Sequence, residues 1–395
     1  MKPSTPEVYA AASDWRNGGF GLYIHWPYCS AKCPYCDFNS HVAKKIDHAA
    51  WRRAYSSEIS RASTASPDRV LSSIFIGGGT PSLMEPETVK CVLDAARHAW
   101  PFANNIEITL EANPTSAEAD RLEAFRQAGI NRLSIGVQSL RNDSLRQLGR
   151  MHDADDALGT VKIARALFER VSFDIIYARQ FQDQQAWSEE LTEILALRPD
   201  HLSLYQLTIE DGTAFGSLHA KKRLKGLPNE DRAADLFELT QALCAAAGLD
   251  AYEVSNHSRP GSESLHNLIY WRYGDFLGIG PGAHGRITLG GQRFATETML
   301  QPQAWLDAAL GGTATTTKKR LIPELEQAEE MLMMGLRLSE GINLSRYVNL
   351  AGVELDRVAL NELNDLGLTE ETNDRILCSA KGRPLLNAVI RRLLV

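Results

Sequence analysis

A chain of 395 residues with 42 basic and 49 acidic side chains carries a net charge of -7, which argues against a general nucleic-acid or anionic-membrane surface, since those partners reward a basic stripe. At 44% hydrophobic and 23% charged residues the composition is that of an ordinary folded chain, with room for one large domain and a smaller one beside it. No stretch approaches the roughly 18 to 20 apolar residues that cross a bilayer.

The opening MKPSTPEVYAAASDW has one basic residue and no apolar run of export-signal length. The expectation is a cytoplasmic protein, where clustered cysteines signal metal or redox chemistry rather than disulfides. In chain order, β-branched and aromatic runs recur at 21–26 (GLYIHW), 73–78 (SIFIGG), 106–112 (IEITLEA), 132–138 (RLSIGVQ), 171–178 (VSFDIIYA) and 201–208 (HLSLYQLT). These read as six strands. Between them the period becomes helical: Val89, Val92, Leu93 and Ala96 form one stripe, Trp187, Leu191, Ile194 and Leu195 another, and Leu236, Leu239, Thr240 and Leu243 a third. Thr115 and Glu118 have capping-box spacing, and Gly129 and Gly248 stand where helices should stop.

Six strand–helix units in succession demand a parallel sheet with right-handed crossovers, which suits an open, partial TIM-like barrel as well as a doubly wound sheet. Both architectures put ligands at the carboxyl ends of the strands. Those ends are rich in chemistry: three of the six cysteines follow the first strand, GGGTPS the second, EANP the third and VQS the fourth, while Asp174 lies in the fifth and YQLT closes the sixth. One pocket could collect them all. The stretch GGTATTTKK at 311–319 reads as a linker. Beyond it, stripes of Leu325, Ala328, Leu332 and Leu336 and of Leu355, Ala359, Leu363 and Leu366, a hairpin in LTEETNDRILCSA and a last helix from about Pro384 resemble a winged-helix arrangement. The expected division is an N-terminal segment 1–20, a barrel 21–250, an extension with the linker 251–319, and a C-terminal winged-helix-like domain 320–395.

Cys29, Cys33 and Cys36, in CxxxCxxC spacing, place three thiolates on one tight loop. Three thiolates can hold a 4Fe-4S cluster with one iron left open, or, with His25 or His41, a Cys3His zinc site. Spacing alone leaves both open; the Gly-rich turn, carboxylate, Gln and Asp on neighbouring strand ends are more than a structural zinc needs. GGGTPS lacks the Lys-Ser/Thr of a phosphate loop. Taken singly, Glu111 and Asp174 read as structural carboxylates, and Cys91, Cys244 and Cys378 as core thiols. The basic pair at 391–392 is too little for a nucleic-acid groove reader, and no nucleic-acid partner is expected.

The segments YIHWPYC, FIGGGTPS, LEANP, SIGVQS and LGRMH, with CxxxCxxC after a first strand and GGGTP after the second, resemble the radical SAM superfamily. Within it the likeness, over nearly the whole chain, is to the subgroup of oxygen-independent coproporphyrinogen III dehydrogenases and HemW-type haem chaperones. The resemblance implies an α/β fold: a partial (βα)6 TIM-like radical SAM barrel with a smaller C-terminal domain. It implies that Cys29, Cys33 and Cys36 ligate a 4Fe-4S cluster whose open iron takes S-adenosylmethionine (SAM). Tyr23 and Tyr35 would lie near SAM, Gly78, Gly79 and Thr80 would offer backbone groups to its methionine moiety, and Glu111, Gln138, Arg150 and Asp174 would complete the polar contacts. LHNLIYW at 265–271 matches the HNxxYW motif of the haem chaperones; it implies His266 as a ligand for haem iron, with Asn267, Tyr270 and Trp271 against the haem. His25 and His152 would buttress the site.

Two departures from the dehydrogenases point toward a haem chaperone: their extra cysteine, in CxxCxC, is here Phe38, and 28 residues precede Cys29 where they carry a longer extension. One departure is from both branches. A Gly-Leu-Pro-Gly-Gln-Thr type turn is replaced by Ala178-Arg179-Gln180-Phe181-Gln182-Asp183, and losing the Pro and Gly should alter that backbone. The function so implied is delivery of haem to a haem-dependent respiratory enzyme, with homodimer formation and peripheral membrane association through the recipient. Oxidative decarboxylation of coproporphyrinogen III is the alternative.

Overall fold

The computed structural model describes residues 13–115 and 120–394; the Thr115–Glu118 pair and most of the 1–20 segment lie outside the described residues. The strands in chain order are β1 (Phe20–Trp26), β2 (Tyr28–Cys29), β3 (His41–Val42), β4 (Leu71–Gly78), β5 (Phe102–Ala112), β6 (Arg132–Gln138), β7 (Arg170–Tyr177) and β8 (His201–Gln206). There follow β9 (Asp250–Ala251), β10 (Asn256–Ser258), β11 (Asp275–Ile279), β12 (His284–Leu289), β13 (Gln292–Thr298), β14 (Thr316–Leu321), β15 (Ile342–Asn343), β16 (Thr369–Thr372) and β17 (Arg375–Cys378).

Twelve strands form one sheet in the order β14-β13-β12-β11-β1-β4-β5-β6-β7-β8-β10-β9. The run from β11 to β8 is parallel, and antiparallel strands extend it at both ends. The six expected strands are β1 and β4 to β8 in sequential neighbourhood, with helices between them. Strand alternation assigns the two faces. Phe20, Leu22, Ile24 and Trp26 are fully buried in the main core, whereas Gly21, Tyr23 and His25 point into the barrel, where Gly21 closes on Ser73 and on the helix Leu265–Trp271. The helical stripes pack as their spacing requires: Val89, Val92, Leu93, Ala96, Trp187, Leu191, Ile194 and Leu236 are all buried.

The structure corrects several expectations. Residues 316–319 are not a linker but the start of β14, whose β-branched threonines pair with β13. Every residue of β14 is exposed, and Lys318, Lys319 and Arg320 blunt the free edge. A further strand, β11, seals β1 on the side away from β4. The C-terminal module has its own core of Ala328, Leu332, Leu336, Leu355, Ala359 and Leu363 around the three-stranded sheet β15-β17-β16. Leu325 and Leu366, placed inside by periodicity, are exposed because they lie at the ends of their helices, where the stripe has run past the partner surface. Cys244 and Cys378 are buried, but Cys91 is half-buried, its Sγ 3.3 Å from Ser56 Oγ. Among the described residues no helix is long and apolar enough to cross a membrane.

The atypical turn keeps the backbone that glycine would favour. Ala178 and Phe181 stand where the turn type has its two glycines, and both are left-handed, with φ of 56° and 60°. Such a conformation costs about 1–2 kcal/mol per non-glycine residue, so the surrounding contacts must impose it. The holding contact is a buried ion pair. The Arg179 guanidinium donates to Glu190, which also accepts from Ser139 Oγ at 2.6 Å and from Leu140 N at 2.8 Å. Arg179 N–H and Gln182 close the turn reciprocally. Arg179→Ala would leave the Glu190 carboxylate buried without its cation and is expected to lower stability by about 3–5 kcal/mol. Arg146→Ala, breaking an exposed pair with Asp143, should change it by less than about 1 kcal/mol; chemical denaturation of the two variants measures the contrast.

Candidate cofactor site at the strand ends

After β1 the chain makes the short strand β2, loops through the cysteines and returns as β3, which pairs in parallel with β2 (Tyr28 beside His41). Within the loop, Cys36 N donates to Cys33 O at 3.2 Å. Cys29, Cys33 and Cys36 are half-buried free thiols lining one cavity of about 590 Å³. The same cavity is lined by Tyr35, Gly78, Gly79, Thr80, Glu111, Gln138, Arg150 and Asp174, so the carboxyl ends of β1 and β4 to β7 converge on one space. Two polar groups face the sulfurs: Thr80 Oγ1 donates to Cys29 Sγ at 3.4 Å, and Arg150 Nη1 to Cys33 Sγ at 3.5 Å. Among the described residues no three His, Cys, Asp or Glu side chains are already gathered as around a single ion.

The glycines are required by close approach. Gly78 has φ 113°, and a Cβ there would stand 2.7 Å from the His25 ring; one on Gly79 would stand 2.6 Å from Tyr28 O. Gly78 N donates to Glu111 Oε2 at 3.1 Å. Burial, then the nearby charge of Asp174, pushes the Glu111 carboxyl up to about 8. Burial also raises Asp174, against the opposing effect of Ser134 Oγ, 3.0 Å and 3.1 Å from its two oxygens, and of Arg132 and Arg150. A pair of carboxyls held in this way is stabilised by any cation that enters. Arg150 lies over the ends of β5 and β6, near these carboxyls, donating to Gly136 O at 3.1 Å and Asn113 Oδ1 at 2.5 Å. Its Nε is buried with no protein partner, which a native site rarely tolerates without a ligand or water. Gln138 closes β6 with a strained φ of 64° that turns its backbone at the cavity wall. The arrangement suits a ligand carrying both cationic and carboxylate groups.

Not all nominated residues meet there. Tyr23 lies beneath the cavity, its OH 3.0 Å from His25 Nδ1. The other ring nitrogen of His25 is 2.9 Å from Asn39 O in the cysteine loop. The carbonyl can only accept, so His25 Nε2 carries the proton and Tyr23 donates to Nδ1. His41 Nε2 contacts Asn39 Oδ1 at 3.1 Å. His152 is buried with Nε2 3.1 Å from Val137 O, and burial, then Arg150, lowers it to about 4.

The helix Leu265–Trp271 lies at the other end of the barrel. His266 is 1% exposed, with Nδ1 2.7 Å from Ser73 Oγ and Nε2 2.6 Å from Tyr270 OH. Burial lowers it to about 3. The expected haem-iron ligand thus has both nitrogens engaged inside the protein, because its helix is turned with the His266–Tyr270 edge toward the strands. Asn267 sits in the first turn, its N–H capped by Ser264 Oγ. Trp271 faces a separate cavity of about 590 Å³ shared with Arg272, Arg346 and the C-terminal module. Residues the sequence reading missed include Asn113, Ser134 and Tyr205, which line the first cavity; for Asn113 and Tyr205 the available signal was their position at the ends of β5 and β8, whereas Ser134 lies inside β6.

Since the Glu111 carboxyl is raised above its ordinary 4.5 to about 8, its ionisation weakens the folded, cofactor-free chain as pH rises through that window. Glu111→Gln should therefore raise the melting temperature of cofactor-free protein at pH 9, with little gain at pH 5, in paired thermal melts.

Comparison with known proteins identifies the family and the fold. A model of the radical SAM superfamily matches residues 23–187, and one described as the HemN C-terminal domain matches 322–385. Radical S-adenosyl methionine domain-containing protein 1, mitochondrial, of Bos taurus is 40% identical over 387 residues, covering 94% of this chain and 87% of that protein. The heme chaperone HemW of Escherichia coli strain K12 is 36% identical over 374 residues, covering 93% of this chain and 96% of that one. The structure of coproporphyrinogen III oxidase (HemN) from Escherichia coli matches with a TM-score of 0.79 at 21% identity, covering 99% of this chain and 93% of that chain. At that identity the likeness is one of fold.

Proposed function

The chain belongs to the radical SAM superfamily, in the family of the heme chaperone HemW, and on that premise we propose that it binds haem, a 4Fe-4S cluster and SAM and delivers haem to a haem-dependent respiratory enzyme. The observation that carries the carrier reading over decarboxylation is Phe38. Two positions past the last cysteine, where the dehydrogenases resembled above have a further thiol, this chain has an apolar ring, 56% exposed at the cavity mouth. It cannot ligate.

The residues fit the cofactors. Cys29, Cys33 and Cys36 would hold the cluster through their thiolates. Burial raises the Cys29 and Cys36 thiols, and a cationic metal core offsets that by stabilising the thiolates. When bound and reduced, the cluster supplies one electron to the sulfonium of SAM. Gly78, Gly79 and Thr80 admit the cosubstrate's methionine backbone closely. Glu111 and Asp174 balance its positive charge, Arg150 offers its guanidinium to its carboxylate, and Gln138 and Tyr35 fix the remaining orientation, with Tyr23 acting from beneath through His25. Haem meets the motif at its outer face, where Trp271 offers an indole, with Asn267, Tyr270 and His266 holding the helix that presents it.

The compartment is a reducing one, taken here as the cytoplasm; relatives named mitochondrial occur in the same family. The working form is a homodimer that reaches the membrane only through its recipient.

Anaerobic reconstitution is expected to give about four iron and four sulfide per chain, and haemin titration a saturable Soret band. Stoichiometric zinc without acid-labile sulfide would overturn the cofactor assignment. Vinyl product from coproporphyrinogen III and SAM with the reduced protein would replace the carrier reading by the decarboxylase.

A further inference from the structure

The helix Leu265–Trp271 makes more contact with the cofactor site than its distance from the cavity suggests. Its N-terminus is pinned by Glu107, a fully buried carboxylate that accepts from Ser264 Oγ at 3.3 Å, Leu265 N at 3.2 Å and His266 N at 3.1 Å. The charge of Glu107 is met by Arg170 at 2.7 Å. From this fixed base three rings pack as a triangle inside the barrel. The His266 ring lies on Phe75 (centroids 5.0 Å apart, planes 22°), Phe75 lies beside Tyr23, its partner on the neighbouring strand (6.3 Å, 27°), and Tyr23 in turn contacts His266 (6.4 Å, 32°).

The cluster touches the cofactor site twice. Tyr23 OH holds His25, and His25 holds Asn39 O, three residues beyond Cys36. Across Gly77, a notional Cβ would stand 2.8 Å from the Phe75 ring and 3.1 Å from Glu111 Oε2, so that ring and that carboxylate share a wall. Gly21 clears the space for His266, since a Cβ there would stand 3.0 Å from Ser73 Oγ and 3.4 Å from His266 Nδ1. Tyr270, edge-on to both His266 and Phe276, locks the imidazole in its plane.

We propose that His266 and Tyr270 are positioning residues of the SAM and cluster site, acting through Phe75, Tyr23 and His25 on Glu111 and the cysteine loop, rather than ligands of haem iron. This rests on the reading of the cavity as the SAM and cluster site. The aromatic cluster transmits because each ring is confined by the other two: a packed interior answers the loss of one member by shifting the rest.

The test uses full-length, anaerobically reconstituted wild type, His266→Ala, His266→Gln and Tyr270→Phe. SAM affinity is measured by equilibrium dialysis, the reduced cluster by EPR with and without SAM, and haem by Soret titration of cluster-free chain. Expected are a loss of SAM affinity of about five- to tenfold in His266→Ala and Tyr270→Phe, a smaller SAM-induced change in the EPR signal, and haem affinity at the wild-type level. His266→Gln, whose amide can reach both Ser73 and Tyr270, should recover part of the loss. Haem binding abolished in His266→Ala with SAM affinity and EPR signal unchanged would overturn the proposal and make His266 the ligand. Variants indistinguishable from wild type in SAM affinity and EPR overturn it as well. Should His266→Ala fail to fold, Tyr270→Phe, which removes one hydroxyl, decides alone. A wild type that binds neither cluster nor SAM overturns instead the cofactor reading beneath it.

Discussion

The buried carboxylate of Glu107 is the contact on which the architecture turns. A barrel with a polar interior must pair every inward group or leave it uncompensated in a poorly hydrated space. Glu107 does so by joining two Arg side chains of neighbouring strands, Arg132 and Arg170, to the free N–H groups that begin the helix Leu265–Trp271. One acidic group thereby satisfies a helix terminus, neutralises strand cations and closes the end of the barrel away from the cysteines. Removing any of the three parties would strand the others.

Charge is then partitioned along the barrel axis. At the closed end the acid is matched by guanidiniums. At the open end Glu111 and Asp174 lie near each other with their carboxyls raised, and Arg150 lies over the ends of β5 and β6 with a buried nitrogen unbonded. The closed end is a finished structure. The open end holds raised carboxyls and a guanidinium together, a combination that a zwitterionic guest would complement.

Much of this was legible in the sequence because it is local. Period-two and period-3.6 patterns located β1, β4 to β8 and the intervening helices, and the rule that parallel sheets bind ligands at strand ends brought Cys29, Gly78, Glu111, Gln138 and Asp174 together before any coordinates. What escaped is non-local. Ser73 and His266 are 193 residues apart, and nothing in LHNLIYW tells which edge of a seven-residue helix turns inward. β11 is read from DFLGI, whose glycine and single aspartate give no clean alternation, and β14 from a Thr/Lys run that looks like solvent-facing connector. The turn at 178–183 misled in the other direction: its residues argue for a changed backbone, yet the Arg179–Glu190 pair enforces left-handed dihedrals on Ala178 and Phe181.

The pairing of β1 with β11 also has a bearing on biogenesis. Phe20 lies beside Asp275, so the first strand of the barrel leaves the ribosome long before the strand that covers its outer edge has been made. At about 5–20 residues per second the wait is on the order of 10–50 s, during which an apolar strand offers unsatisfied amides to any neighbour. Nascent-chain holdases, and the temperature at which cells make the protein, should thus govern its soluble yield more than the stability of the finished barrel does.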